Sequence, residues 1–182
     1  MARLGIIAGK AQLPEKIVQA CSKKNRDFFV LAIKGQTEKT LVKNIPHKWV
    51  KLGATEEAIK ILKSENVTDI VMAGGIKRPG IFDIKPDLRT MQIIAEVGIS
   101  SLGDDTLLKA ISNELGKEGF NIIGAHEILP EILAPKGCLT KKEPSQSNKS
   151  DIEEGIKVAK TIGALDIGQA VIIQQGVVIA VE

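Results

Sequence analysis

The sequence is poor in cysteine and in aromatic residues, and each shortage excludes a class of protein. Only Cys21 and Cys138 occur in 182 residues, too far apart in sequence for a CxxC zinc motif or a disulfide framework. Four Phe, one Trp and no Tyr leave little material for a platform on which single-stranded nucleic acid could stack. The formal net charge is only +3, too small for a nucleic-acid-binding surface. We therefore expect no nucleic-acid partner.

Long hydrophobic runs are also missing. No apolar stretch approaches the roughly 20 residues that a membrane-spanning helix needs. The apolar run at the N-terminus is too short for the core of a secretory signal peptide. Two unpaired cysteines fit a reducing compartment. These absences predict a cytoplasmic protein, and they leave peripheral contact with a membrane surface open.

What the sequence does contain is an alternation of short apolar runs and amphipathic stretches. The apolar runs predict strands at residues 4–8, 28–33, 49–52, 67–73 and 120–123. The amphipathic stretches predict helices at residues 14–25, 53–62, 88–97 and 104–118, with Thr55 as the N-cap of the second. Strands that alternate with helices are typical of an α/β fold with a Rossmann-like parallel sheet.

A change of composition separates the last part of the chain. Residues 134–150 hold two prolines, three serines and the surplus lysines, so we interpret them as a linker after an N-terminal domain of residues 1–133. Residues 151–182 then predict the start of a second α/β domain: a helix capped by Asp151 and a β-hairpin at 169–182. Because a hairpin alone is marginally stable, we expect the chain to be the front portion of a longer architecture.

Three predicted strands end in glycine, at the edge of a parallel sheet where ligands bind. Gly9 is followed by Lys10, Ala11 and Gln12; the other two ends are Gly74-Gly75 and Gly124. Glycine lets backbone N–H groups approach a phosphate, but a tight strand-to-helix turn explains the first loop equally well. Its spacing matches neither the Walker A loop nor GxGxxG.

Other candidate residues flank these turns. Arg78 follows the double glycine, where its guanidinium could grip a phosphate or simply be solvated. The acids of Gly103-Asp104-Asp105 could bind magnesium or a substrate hydroxyl, although a helix cap accounts for both. Ala125-His126-Glu127 follows Gly124 and is not an HExxH motif. A lone histidine is more often structural than a metal ligand, and its place at a strand end favours a second role for His126, lining a pocket.

Six segments, taken in order, resemble the UDP-2,3-diacylglucosamine pyrophosphatases of the LpxI type. Each segment is weakly specific, and their order is strongly specific. They are residues 4–9 with Leu13-Pro14, residues 73–74 with Arg78-Pro79, Gly103-Asp104-Asp105, residues 118–120, residues 124–127 and residues 165–169; the run at 176–182 is similar as well.

The resemblance implies an enzyme of lipid A synthesis in Gram-negative bacteria. Such enzymes hydrolyse UDP-2,3-diacylglucosamine to UMP and 2,3-diacylglucosamine 1-phosphate, with water attacking the UMP-side phosphorus and a divalent metal, usually Mg²⁺, required. It implies two α/β domains that hold the lipid between them, and its acylated substrate implies peripheral contact with the cytoplasmic face of the inner membrane. A homodimer is a separate expectation. The implied substrate-binding residues are Gly9, Lys10, Ala11, Gln12, Gly74, Gly75, Arg78, Gly103, Asp104, Asp105, Gly124, Ala125, His126, Glu127 and Gln169.

The sequence departs from the family in two places. Lys10 and Ala11 stand where the family usually has the last two glycines of a triplet. The family's presumed catalytic aspartate lies in a Gly-Thr-Asp segment after the Ala-Val-Glu run, and this sequence stops at that run. We therefore expect little turnover, and a non-catalytic nucleotide- or lipid-binding remnant is the alternative. An NAD-dependent oxidoreductase is disfavoured, because Lys34-Gly35 rather than an acid follows the second strand.

Overall fold

The structure, a computed structural model, describes residues 2–77, 86–97 and 104–182. Its contacts divide the chain into two compact units. Unit 1 comprises Met1–Ser100 and Leu107–Leu133, and unit 2 comprises Ser101–Thr106 and Ala134–Glu182.

The described strands of unit 1 form a parallel sheet, which confirms the predicted α/β class. They are β1 (Arg3–Ala8), β2 (Phe28–Ile33), β3 (His47–Val50), β4 (Val67–Ala73) and β5 (Asn121–Ile122). The order across the sheet is β3-β2-β1-β4-β5. Because all five strands are parallel, their carboxyl ends lie along the same edge of the sheet.

The two outer strands differ from their predicted bounds because pairing, not composition, sets their ends. β3 begins at His47, before the predicted residue 49, since the Val30 N–H already donates to Pro46 O at 2.9 Å. Only two of the four predicted residues of β5 pair with β4, as Asp69 with Asn121 and Ile70 with Ile122.

Helices cover both faces of this sheet. Their bounds are α1 (Leu13–Lys23), α2 (Thr55–Ser64), α3 (Leu88–Val97), α4 (Asp104–Lys117) and α5 (Ala125–Ile128), followed by a 3₁₀ turn at Pro130–Ile132. The prediction that Thr55 caps α2 is wrong. Thr55 is already helical, and its Oγ1 lies 2.7 Å from Thr90 Oγ1 on α3, while Ala54 holds the cap position without a side-chain bond.

Alternate residues of the strands enter two separate hydrophobic clusters, as the period-two geometry of a strand requires. Leu4 and Ile6 pack with Ile17 and Cys21 of α1 on one face. On the other face, the cluster of Phe29, Leu31, Leu62, Ile70 and Leu115 joins the sheet to α2 and α4. A sheet buried on both faces explains why its strands are nearly continuous apolar runs.

Unit 2 contains α6 (Gln146–Ala164) and the predicted hairpin, formed by β6 (Val171–Gln174) and β7 (Val177–Val181). The helix begins five residues before the predicted Asp151. Ser145 is its N-cap: Ser145 Oγ accepts the Asn148 N–H at 3.2 Å, and Asn148 Oδ1 accepts the Ser145 N–H at 3.1 Å. This reciprocal capping box outcompetes the single acid that we expected to start the helix.

Asp151 instead stabilises the turn of the hairpin. Its carboxylate accepts the N–H groups of Gln175 at 3.2 Å and of Gly176 at 2.8 Å. Both turn residues have positive φ angles, 51° and 76°, as a tight hairpin turn requires.

Within the described ranges, no helix is both long enough and apolar enough to cross a membrane.

Candidate functional site

The strand order places a topological switch point between β1 and β4. From β1 the chain builds outward through β2 and β3, and it then returns to the other side of β1 to form β4. Connections therefore leave the carboxyl ends of β1 and β4 in opposite directions. In open α/β sheets this is where ligands bind.

The two glycine turns at this point are joined to each other by backbone hydrogen bonds. The Gly9 N–H donates to Ala73 O at 2.8 Å and the Lys10 N–H donates to Gly75 O at 2.8 Å. In return the Gly75 N–H donates to Lys10 O at 3.2 Å, so Lys10 and Gly75 form an isolated antiparallel bridge. The loops after β1 and β4 are one structural element.

Only glycine fits this crossing. A Cβ on Gly9 would lie 2.5 Å from Gly75 O, and a Cβ on Gly74 would lie 2.3 Å from Lys10 O. Gly74 also has a φ of +87°, which disfavours any L side chain. The glycines at these two positions are therefore explained by close backbone approach between two loops.

This crossing changes the role that the sequence predicted for the glycine turns. The N–H groups of Gly9, Lys10 and Gly75 donate within the protein, so they do not form the expected phosphate cradle. What the first loop still presents is the exposed pair Ala11 and Gln12 at the start of α1. Gln12 is the N-cap and makes no side-chain capping bond, but Pro14 has no N–H to donate and Glu15 places a carboxylate in the first turn, so this helix start is a poor anion site.

Ala11 has a φ of +75°, a left-handed conformation that glycine adopts more readily. Pro14, in the first turn of α1, is buried and fixes the backbone that follows. Ala11 is one of the two residues of this chain that stand where the family usually has glycine. Alanine at this position therefore carries backbone strain that glycine would not.

The exit of β2 contributes two residues that the sequence analysis missed. Thr37 is buried; its Oγ1 donates to Ala8 O at 2.5 Å and accepts the Ile33 N–H at 2.8 Å. Beside it, Gln36 Nε2 donates to Lys77 O at 3.0 Å, and the Lys77 N–H donates to Gln36 Oε1 at 2.9 Å. The exits of β1, β2 and β4 are therefore bonded into one edge.

At the exit of β5, the predicted residues have distinct roles. Glu127 Oε1 accepts the Gly124 N–H at 2.6 Å and so caps the short helix α5. His126 is exposed, and its imidazole lies against Gly124, where a Cβ would come within 2.4 Å of the ring carbon Cε1. Ala125 packs against the cluster that contains Ala8 and Ala73. The structure leaves His126 as the polar side chain that this exit offers to a ligand.

The remaining predicted residues lie elsewhere. Gln169 is exposed in unit 2, and its N–H donates to Glu182 O at 2.6 Å. Asp104 and Asp105 begin α4, which is consistent with a role at the helix start, but their side chains lie outside what the structure describes. Arg78 and Gly103 lie outside the described residues altogether.

Two of the resembling segments nevertheless meet inside unit 2. Thr106 Oγ1, next to the predicted Asp104-Asp105 pair, donates to Asp166 Oδ2 at 2.6 Å. Asp166 precedes Gln169 by three residues and has a φ of +55°. The start of α4 and the turn after α6 are thus joined by a direct hydrogen bond, although 60 residues separate them.

The described residues do not supply a ready metal site. No group of three or more His, Cys, Asp and Glu side chains among them lies close enough together to hold a metal ion. Glu127 is engaged by the Gly124 amide, so the β5 exit presents a single histidine. These residues alone do not fit the expected Mg²⁺, and we derive no catalytic step through a protein-bound metal.

Among the described residues of unit 1, several carboxylates surround Arg89. Its guanidinium bonds Glu114 at 2.7 Å, Glu56 at 3.2 Å and also Glu118, and these bonds raise the pKa of Arg89. The Arg89 hydrogen bond lowers the pKa of Glu114, and hydrogen bonds from Lys63 and Arg89 lower that of Glu118. Each carboxylate has a cationic partner, so this cluster is structural.

Two surface grooves lie away from the strand exits. The first, about 470 Å³, runs between α1 and the 3₁₀ turn and is lined by residues such as Lys16 and Ile132. The second, about 420 Å³, lies beside Arg89 and is lined by Asp87 and Gln92 among others. Neither groove contains a residue of the predicted site.

Profiles of two domains from one family match nearly the whole chain. The LpxI N-terminal domain matches residues 3–132, and the LpxI C-terminal domain matches residues 135–182. These matches do not support the expectation of a truncated C-terminal domain.

A curated relative is similar along the entire chain. It is the UDP-2,3-diacylglucosamine pyrophosphatase LpxI of Caulobacter vibrioides, 34% identical over 183 residues that cover 100% of this chain and 65% of the relative. The chain thus spans less than two thirds of that protein's length.

Two solved structures show a distant likeness. A short chain dehydrogenase family protein from Francisella tularensis has 17% identity and a TM-score of 0.33, covering 90% of this chain and 65% of that one. Carboxyaminoimidazole ribonucleotide synthase from Aspergillus clavatus, complexed with ATP, has 16% identity and a TM-score of 0.32, covering 52% of this chain and 22% of its own. Likenesses at this level carry no functional argument.

Proposed function

The chain belongs to the LpxI family, and from that premise we propose that it hydrolyses the pyrophosphate bond of UDP-2,3-diacylglucosamine in lipid A synthesis. The products are UMP and 2,3-diacylglucosamine 1-phosphate. Water attacks the UMP-side phosphorus, the bond from that phosphorus to the bridging oxygen breaks, and the bridging oxygen leaves with the sugar phosphate. We propose that the reaction takes place at the cytoplasmic face of the inner membrane, because the substrate carries two acyl chains.

The observation that carries this proposal is the bonded edge at the switch point. Hydrogen bonds fix the exits of β1, β2 and β4 relative to one another before any ligand arrives. Phosphoryl transfer depends mainly on positioning and on electrostatic stabilisation of the oxygens. A rigid edge beside the Lys10 cation suits a diphosphate.

We further propose that Mg²⁺ enters with the diphosphate. Magnesium is often held by substrate phosphates together with only one or two protein carboxylates. Such a mode does not need a preformed cluster of protein ligands, and its role would be to neutralise the diphosphate charge.

The test is release of UMP from UDP-2,3-diacylglucosamine by the purified chain, with Mg²⁺ and with a chelator. The expectation of little turnover rested on a truncated C-terminal domain, which the match at residues 135–182 does not support; we therefore expect turnover, and the chelator should abolish it. In water labelled with ¹⁸O, the label should appear in UMP, because that phosphorus is attacked. Label in the sugar phosphate instead would contradict the proposed step.

A charge-matched pair of variants tests whether the switch point is the site. Lys10→Met removes the cation beside the β1 exit and should raise KM about tenfold, the usual scale for loss of one charged phosphate contact. Lys23→Met, at the other end of α1, should leave KM unchanged. Equal effects of the two substitutions would place the diphosphate elsewhere.

Binding without turnover would separate the second candidate function from the first. If calorimetry shows UDP binding while no UMP is released, the chain is a non-catalytic nucleotide-binding module of the family. If neither occurs in a folded chain, both proposals fail.

A further inference from the structure

The side-chain amide of Gln36 acts on the backbone of Lys77 as a neighbouring strand would. It donates to the carbonyl at 3.0 Å and accepts the N–H at 2.9 Å, across 41 residues of sequence. One planar group thereby satisfies both polar groups of a single residue. A side chain that is only partly buried has no packing reason to adopt this arrangement.

Gln36 is itself held in place by the β2 turn. Its N–H donates to Ile33 O at 3.0 Å, and the next N–H, that of Thr37, donates to the same carbonyl at 3.0 Å. The buried Thr37 hydroxyl then connects this turn to Ala8 at the end of β1. The amide therefore projects from a fixed support.

The segment that Gln36 holds is the exit of β4. Gly74 reverses the chain at a φ of +87°, and Gly75 is bridged to Lys10 on one side. Two residues later Lys77 is held by Gln36 from the other side. The β4 exit is thus fastened at two points, one to the β1 loop and one to the β2 loop.

We propose that Gln36 is a positioning residue for the ligand-binding edge: through its two hydrogen bonds to Lys77 it fixes the β4 exit where the nucleotide diphosphate binds. This inference rests on the proposed function, because it assumes that the diphosphate is received at this edge. Gln36 does not touch the ligand. Because Gln36 already orders the β4 exit in the free protein, ligand binding does not have to supply the free energy for that ordering.

The experiment measures binding of UDP with Mg²⁺ by calorimetry, using the full chain. Gln36→Leu keeps the side-chain size and removes both hydrogen bonds. We expect about tenfold weaker binding, because ligand binding must then order the β4 exit, and only a small decrease of the unfolding midpoint, since the two bonds join exposed loops. The matched control is Gln19→Leu, since Gln19 is exposed on α1 and its amide donates to Glu15 of the same helix.

Gln36→Glu supplies a readout that a purely structural role would not move. A carboxylate accepts the Lys77 N–H but repels its carbonyl, whereas a protonated carboxyl group can again both donate and accept. The affinity ratio of this variant to the wild type should therefore be low at about pH 7 and rise towards one near pH 4, around the ordinary pKa of glutamate. The protection of the Lys77 amide against hydrogen exchange should likewise increase as the pH falls from about 7 to about 4.

Each outcome decides one of the two proposals. If the wild type does not bind UDP, the proposed function fails and this inference with it. If the wild type binds and Gln36→Leu binds equally well, the inference alone is overturned. If Gln36→Glu stays weak at both pH values while its Lys77 amide is protected, the loss does not come from the hydrogen bonds and the inference is again overturned.

Discussion

Unit 1 buries its apolar strands, whereas unit 2 leaves comparable strands exposed. In β1, Leu4 and Ile6 are 0% exposed, while in β7 Val177 is 61% exposed and Ile179 is 57% exposed. Every described side chain of unit 2 is at least partly exposed, although α6 packs on the hairpin through Val171 and Ile173. The two units therefore have similar strand sequences, but the apolar side chains of these strands are buried in unit 1 and exposed to solvent in unit 2.

The difference shows what an apolar strand sequence does and does not specify. Valine and isoleucine favour the extended backbone in both units, and the predicted strands formed in both. Burial depends on helices that lie on each face of the sheet, and unit 1 has them on both. Stability, in consequence, should respond very differently to the same substitution in the two units.

The largest expected effect comes from removing a core side chain. Leu62→Ala removes a side chain that is 0% exposed and should cost about 2–5 kcal/mol of unfolding free energy. Ile172→Ala, at 58% exposure, should cost within about 0.5 kcal/mol. Urea unfolding can be followed for the first by Trp49, the sole tryptophan, and hydrogen exchange of hairpin amides reports the second. A cost near that of Leu62→Ala at Ile172 would mean that the hairpin is covered in solution.

The next effect concerns pH and the Arg89 cluster of unit 1. Folding lowers the pKa of Glu56, Glu114 and Glu118 below the ordinary value of 4.5. Their stabilisation is therefore present above about pH 4.5 and is lost as the pH falls through the lower folded values. Arg89→Met should destabilise the protein clearly at pH 7 and much less at pH 3.

A control in unit 2 distinguishes this cluster from general charge effects. Lys157→Met removes an exposed cation that lies 3.9 Å from Glu154. Solvent screens such a pair, so this variant should unfold like the wild type at both pH values. Parallel pH curves for wild type and Arg89→Met would refute the role assigned to Arg89.

The smallest expected effect is a gain in stability at the first loop. Ala11→Gly relieves the left-handed backbone at a φ of +75° and should stabilise unit 1 by up to about 1 kcal/mol. Ala95→Gly, on an exposed position of α3, should lose about as much, because glycine disfavours a helix. Thermal unfolding of the two variants should shift in opposite directions, and a loss for Ala11→Gly would show that the strain is absent.

Much of the fold could be predicted because the central strands are continuous apolar runs. β2 and β4 begin and end at the predicted residues, and the hairpin appears where two apolar runs flank Gln175-Gly176. The predicted bounds of β3 and β5 were less accurate, because each is an edge strand whose length depends on pairing with a single neighbour. The start of α6 was missed because Ser145 and Asn148 cap each other three residues apart.

The candidate site could be predicted only in part, and for a physical reason. Glycine at a strand end signals close backbone approach, but not whether a phosphate or another loop approaches; at Gly9 it is another loop. Gln36 and Thr37 carry no motif, and their partners lie 41 and 29 residues away. Such contacts form only when β1, β2 and β4 are neighbours in the sheet, and the apolar runs of the sequence do not specify the strand order.

The Thr37 hydroxyl has a kinetic consequence. One oxygen atom connects the last residue of β1 with the last residue of β2, in a buried position. The entropy of ordering these two strand ends is lost when the chain folds, so it does not oppose ligand association. A nucleotide that meets this part of the edge needs no rearrangement of these strand ends. Its association rate should be limited by diffusional encounter and orientation, and differences in affinity among ligands should appear in the rate of departure.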